Sequence, residues 1–180
     1  SIRFMQQAEK FHRPVVTFID TKGAYPGVGA EERGQGEAIA SSMLEMAKLK
    51  VPVIAIVIGE GSSGGALAIG LGNKVLMLEN AIYSILSPEG YASILWKDAS
   101  RAKEASEKMR LTAKDLYELH VIDKIIKEPD GEPEESFHKV ASCLKKEIKA
   151  IVKQMQDMTP EMIVEDRYQK FRNMGEYVRY

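Results

Sequence analysis

The sequence predicts an α/β fold. Short β-branched runs alternate with stretches of helical periodicity. Glycine clusters follow the first two of those runs. The second run, Val51–Ile58, is almost entirely apolar, as in a parallel sheet covered on both faces.

The elements follow in order. Phe4, Met5, Ala8 and Phe11 are spaced as in an amphipathic helix. Because the chain opens on Ser1 rather than Met, just ahead of what reads as mid-helix, it reads as a piece of a longer protein. Pro14–Asp20 predicts a strand, and the glycine-rich stretch 22–29 predicts a loop. Glu31–Leu49 predicts a helix, with Ile39, Met43, Met46 and Ala47 on one face. Val51–Ile58 is the second strand, and Leu67–Leu71 a short buried helix. Val75–Leu78 and Ile82–Leu86 are further strands, and Val121–Ile126 reads as a short one. Ser87-Pro88-Glu89 and Thr112-Ala113-Lys114-Asp115 are helix starts, each with a hydroxyl able to cap the first turn. Residues 128–133 predict a loop. Glu134–Met155 predicts a long amphipathic helix, its stripe running Phe137, Val140, Ala141, Leu144, Ile148, Ile151, Val152, Met155. Thr159-Pro160 opens a last helix that Gly175 stops, with an aromatic tip at Tyr168, Phe171 and Tyr177.

Composition narrows the function. Twenty-five Lys and Arg oppose 26 Asp and Glu, so the chain lacks the basic excess of a nucleic-acid binder. The single Cys143 excludes a disulfide framework or a Cys-based zinc ribbon built from this chain. No apolar run approaches the ~20 residues of a membrane-spanning helix.

Gly59–Ala66 fits three chemical templates. Gly59-x-Gly61-x-x-Gly64 after a strand, with Glu79 about 20 residues on, fits a dinucleotide fingerprint and an NAD(P)-dependent oxidoreductase. Gly61-x-Ser63-x-Gly65 fits a nucleophile elbow. That template needs a base, yet His12, His120 and His138 lie in no motif, and nothing singles out Asp98 or Asp115 as a third member. Adjacent glycines opening a helix also leave main-chain N–H groups free to hold an oxyanion. The plainest alternative is that the glycines serve only turn and packing. The oxyanion template alone also uses the first glycine loop, Thr21–Gly27.

At these residues the chain resembles the α subunit of the acetyl-CoA carboxylase carboxyltransferase of the separate-subunit bacterial or plastid type. The resemblance rests on Phe18–Gly27, Ala30–Gln35, Val57–Leu67, Ser87–Gly90 and Ile94–Lys97. Ser62, Lys22 and Asp130-Gly131-Glu132 depart from the family pattern, and the family's N-terminal portion is not in this sequence. The resemblance implies a crotonase-like spiral of ββα units, with residues 1–128 as the carboxyltransferase core and 129–180 as a helical extension of the same domain. It implies transfer of a carboxyl group from carboxybiotin, on a biotin carboxyl carrier protein, to acetyl-CoA, giving malonyl-CoA for fatty acid synthesis. N–H groups of Gly64, Gly65 and Ala66 would hold the biotin enolate oxygen, while Gly23, Ala24, Tyr25 and Gly61 would line the carboxybiotin pocket. The implied partners are a zinc-ribbon β subunit in an α2β2 assembly and an ATP-consuming biotin carboxylase, in the cytoplasm or the plastid stroma. No metal, nucleic acid or membrane is implied for this chain. Without its β subunit, the chain would be a non-catalytic scaffold half. Arg33 and Lys97 read either as steering charges for the carrier or CoA phosphates, or as plain surface groups. Glu89 reads as near the site or as part of a helix start, and Trp96 as core or interface.

Overall fold

The computed structural model describes residues 1–130 and 132–175. Gly131 and Tyr177, which were assigned to a loop and to the aromatic tip, lie outside the described residues. The order is α1 (Ile2–Lys10), β1 (Val15–Thr21), α2 (Val28–Glu32), α3 (Gln35–Lys48), β2 (Val53–Ser62), α4 (Ser63–Leu67), β3 (Lys74–Leu78) and β4 (Ile82–Ser84). There follow α5 (Pro88–Trp96), a 3-10 turn (Ala99–Arg101), α6 (Ala102–Lys108), α7 (Ala113–Glu118), β5 (Lys124–Ile126), α8 (Pro133–Met155) and α9 (Pro160–Arg172).

The sheet is parallel in the order β1-β2-β3-β5, with β4 also paired to β2. Val53–Val57 of β2 is wholly buried, as its unbroken apolar run requires. Leu144, Ile151 and Met155 of α8 and Ile163 of α9 pack into the same core as the strands. The C-terminal helices therefore cover the sheet.

Several boundaries differ from expectation. The short helix expected at Leu67–Leu71 sits earlier, at Ser63–Leu67, because the chain turns into it at Ser63 directly from β2. The predicted Glu31–Leu49 helix is two helices, broken at Gly34, whose φ is 75°. The predicted second strand does not stop at Ile58 but runs on to Ser62. Its far end gains partners on both sides: Thr21 of β1 pairs with Gly61, and Glu60–Ser62 pair with Ile82–Ser84 of β4. Asp20 alone stands opposite residues 58–60, and its carboxylate accepts the Glu60 N–H at 3.0 Å, replacing the ladder bond lost in that bulge.

The two predicted hydroxyl caps form, and a third caps the last helix. Ser87 accepts from the Gly90 N–H, Thr112 from Asp115 and Thr159 from Met162. Thr159→Ala is expected to lower stability by about 1 kcal/mol, read as a shift in urea midpoint. The last helix ends at Arg172, three residues before the positive-φ Gly175 expected to stop it.

Candidate active site

The carboxyl ends of β1 and β2 lie side by side, so the two glycine segments meet. Beyond β1 the chain turns at Gly23, whose φ of 104° suits glycine. Beyond β2 it turns at Ser63 into α4, with a φ of 51° at that serine. The two turns touch: a Cβ placed on Gly65 would lie 3.0 Å from the Gly23 carbonyl carbon, 3.1 Å from its Cα and 3.0 Å from Thr21 Oγ1. Only glycine at 65 lets these main chains approach so closely.

A cleft of about 320 Å³ opens beside this contact, walled by Gly23, Ala24, Gln35, Ala38, Ile39 and Gly65. Ser62, preceding α4, offers no side-chain cap, and the N–H groups of Gly64 and Gly65 belong to the first turn of α4, before the point where a helix supplies its own acceptors. Uncapped amides at the start of a helix turn favour negative charge.

The remaining expected residues fall in different places. Ala66 is a correction: it is fully buried, main chain included, does not wall the cleft, and its N–H lies where α4 makes its first internal hydrogen bond. Gly61 is a correction: it sits buried in β2 against Tyr83, Val57 and Ile19 and does not wall the cleft. Tyr25 points its ring away, 73 % exposed, and reaches the site through its main chain. Arg33, Glu89 and Lys97 are exposed. Trp96 is covered by Arg101 at 4.1 Å from its ring centre and meets Tyr91 edge-on.

The rival templates do not assemble. A dinucleotide loop needs Gly59–Gly64 as a turn, but Gly59–Ser62 are extended strand. Glu79 is engaged elsewhere, because its carboxylate takes a hydrogen bond from Lys127 and another from the Glu128 N–H, and both hold its pKa below the usual range. Ser63 does occupy a strand-to-helix turn, but no histidine walls the cleft. His12 sits near Pro14 and Pro52, at the opposite end of β1 and β2. His120 and His138 are exposed, and Asp98 and Asp115 are taken up by Ser100 and Thr112.

Thr21, Gln35 and Ile39 are the site residues that sequence reasoning did not single out. Gln35 lay inside a matched stretch but carried no chemistry of its own. Its partner is Tyr25, a main-chain contact that spacing does not reveal.

Among the described residues, no group of three or more His, Cys, Asp or Glu is placed to hold a metal, and no helix is long and apolar enough to cross a membrane.

Comparison with known proteins gives a consistent result. The model of the acetyl co-enzyme A carboxylase carboxyltransferase-like family matches residues 1–175. The acetyl-coenzyme A carboxylase carboxyl transferase subunit alpha of Staphylococcus haemolyticus is 56% identical over 178 residues, covering 99% of this chain and 56% of that protein. The same subunit of Clostridium botulinum (Alaska E43) is 55% identical over 175 residues, covering 97% of this chain and 64% of the relative. The chain thus spans a little over half the length of these relatives. Among solved structures, transcarboxylase 12S matches with a TM-score of 0.65 at 24% identity, over 81% of this chain and 29% of that one. A Pseudomonas malonate decarboxylase hetero-tetramer in complex with coenzyme A matches with a TM-score of 0.71 at 15% identity, over 92% and 67%. The architecture is that of the crotonase-type carboxyltransferases.

Proposed function

The chain belongs to the acetyl co-enzyme A carboxylase carboxyltransferase-like family, and from that premise we propose that it is the core of a carboxyltransferase α subunit that moves a carboxyl group from carboxybiotin to acetyl-CoA, forming malonyl-CoA. The observation that carries this is the contact of the two glycine turns beside one cleft, with the Gly64 and Gly65 amides in the uncapped first turn of α4.

These residues fit a biotin ring on two counts. The wall at Gly23, Ala24 and Gly65 is nearly bare main chain, which lets a flat ring approach closely. The donors are neutral N–H groups, suited to a ureido oxygen that gains charge only during reaction. When bound, carboxybiotin supplies the carboxyl group and then the base. The chain's own part is to hold and stabilise. Gly64 and Gly65 donate to the charged ureido oxygen, while Gly23, Ala24 and Ile39 fix the ring and exclude water. One well-placed donor of this kind is typically worth ~3 kcal/mol of barrier.

The partners in this reading are a β subunit completing the acyl-CoA site in an α2β2 assembly, a biotin carboxyl carrier protein, and a biotin carboxylase where ATP is consumed. Its compartment is the bacterial cytoplasm or the plastid stroma. The test is reconstitution of the full-length α chain with its β subunit, followed by assay of malonyl-CoA from acetyl-CoA and carboxybiotin. Formation of malonyl-CoA that requires both chains supports the reading. A folded, assembled complex that makes none overturns it.

A further inference from the structure

The cleft has one movable wall. Segment 22–26 carries Gly23 and Ala24, yet it lies beyond the end of β1 and before α2. The Gly23 N–H reaches back 3.4 Å to Thr21 Oγ1, and Gly27 N–H to Tyr25 C=O is a contact within the loop. Apart from that bond to the last residue of β1, the hydrogen bonds tying residues 22–26 to another element among the described residues come from Gln35. Its Oε1 accepts the Tyr25 N–H at 3.0 Å, and its Nε2 donates to the Tyr25 C=O at 2.9 Å. The carboxamide thus pairs with both polar groups of one peptide residue, as a neighbouring strand would.

The location of Gln35 gives this contact a use. It is the first residue of α3, directly after the Gly34 break, and the same helix supplies Ala38 and Ile39 to the cleft. A side chain fixed at a helix start is a rigid post. It holds the loop at the height where Gly23 meets Gly65, the contact that defines the cleft.

We propose that Gln35 is a positioning residue for this site: its carboxamide fixes the Gly23–Ala24 wall against Gly65, and carboxyl transfer depends on that fixed width. The proposal rests on the carboxyltransferase reading. Gln35 touches the Tyr25 main chain and acts on the reaction only through the loop.

Two substitutions in the full-length chain, assembled with its β subunit, test it. Gln35→Met keeps the length and removes both bonds. Gln35→Glu keeps the acceptor for Tyr25 N–H and removes the donor to Tyr25 C=O. Hydrogen exchange at Tyr25 is read beside kcat/KM and the thermal midpoint. The expected result is Tyr25 exchange faster by about tenfold or more in Gln35→Met, since each lost bond shifts the docked population by roughly that factor. With it comes a fall of about tenfold or more in kcat/KM, a smaller fall in Gln35→Glu, and an unchanged midpoint. Exchange unchanged in both variants overturns the proposal. So does faster exchange with wild-type kcat/KM, which leaves the carboxyltransferase reading standing. An inactive wild-type complex instead overturns that reading, and with it the role assigned to Gln35.

Discussion

Gly65→Val is expected to lower malonyl-CoA formation by at least ~100-fold, the scale set by losing one preorganised donor. The Cβ of residue 65 aims at the neighbouring turn, where Gly23 and Thr21 stand 3.0–3.1 Å away. Valine adds two further carbons at that point, so the Gly23 turn or the first turn of α4 has to move. Either movement takes the Gly64 and Gly65 amides out of line. Gly65→Ala, with the Cβ alone, should be intermediate. The sheet core lies below this contact, so the far-UV circular dichroism spectrum should match wild type. Normal turnover by Gly65→Val in the reconstituted complex would remove the site from this loop.

Arg167→Leu carries the largest expected loss of stability, about 3 kcal/mol, from several buried acceptors left unpaired. Arg167 is 1% exposed. Its Nη1 faces the carbonyls of Met46, Ala47 and Leu49, and its Nη2 meets Val51 C=O at 3.0 Å and Asn73 Oδ1 at 2.8 Å. The first two carbonyls belong to the last turn of α3, where a helix has too few N–H donors for its own carbonyls and favours a cation. Asn73 extends the network, accepting from Val53 N–H and donating to Ile163 C=O and Asp166. Burial pulls the Arg167 pKa down to about 10. The folded value lies below the unfolded one, so stability linked to this group rises only as pH climbs past about 10, and it is flat below that. The stability difference between wild type and Arg167→Leu should therefore be the same at pH 6 and pH 9 in urea titrations. Lysine is not an adequate substitute, because one ammonium cannot span both sets of acceptors. A Leu variant with an unshifted midpoint would show that the network is dispensable.

What the sequence made legible follows from the range of the interactions involved. Val53–Val57, the hydroxyl caps and the α8 stripe are local patterns, and they fold as read. The end of β2 was misplaced because glycines usually break strands. Here they pair on both edges, with partners about 20 and 40 residues away. The pocket role of Gly61 comes from the resemblance alone, and the extended, buried end of β2 takes that glycine out of the cleft wall. Gln35 was invisible because its partner is a main chain. Arg167 left one sign: with Ile163 and Phe171 it occupies every fourth residue of α9, an inward stripe that a charge would not normally share.

The Arg167 network also bears on the order of synthesis. The residue that completes the carboxyl terminus of α3 arrives more than 110 positions after that helix is made. While Arg167 is still inside the ribosomal tunnel, the paired strands already exist, but the helix bearing Gln35 has an open end facing water. Full rigidity of the cleft wall is therefore a late event, reached only once the guanidinium of α9 is free to close α3.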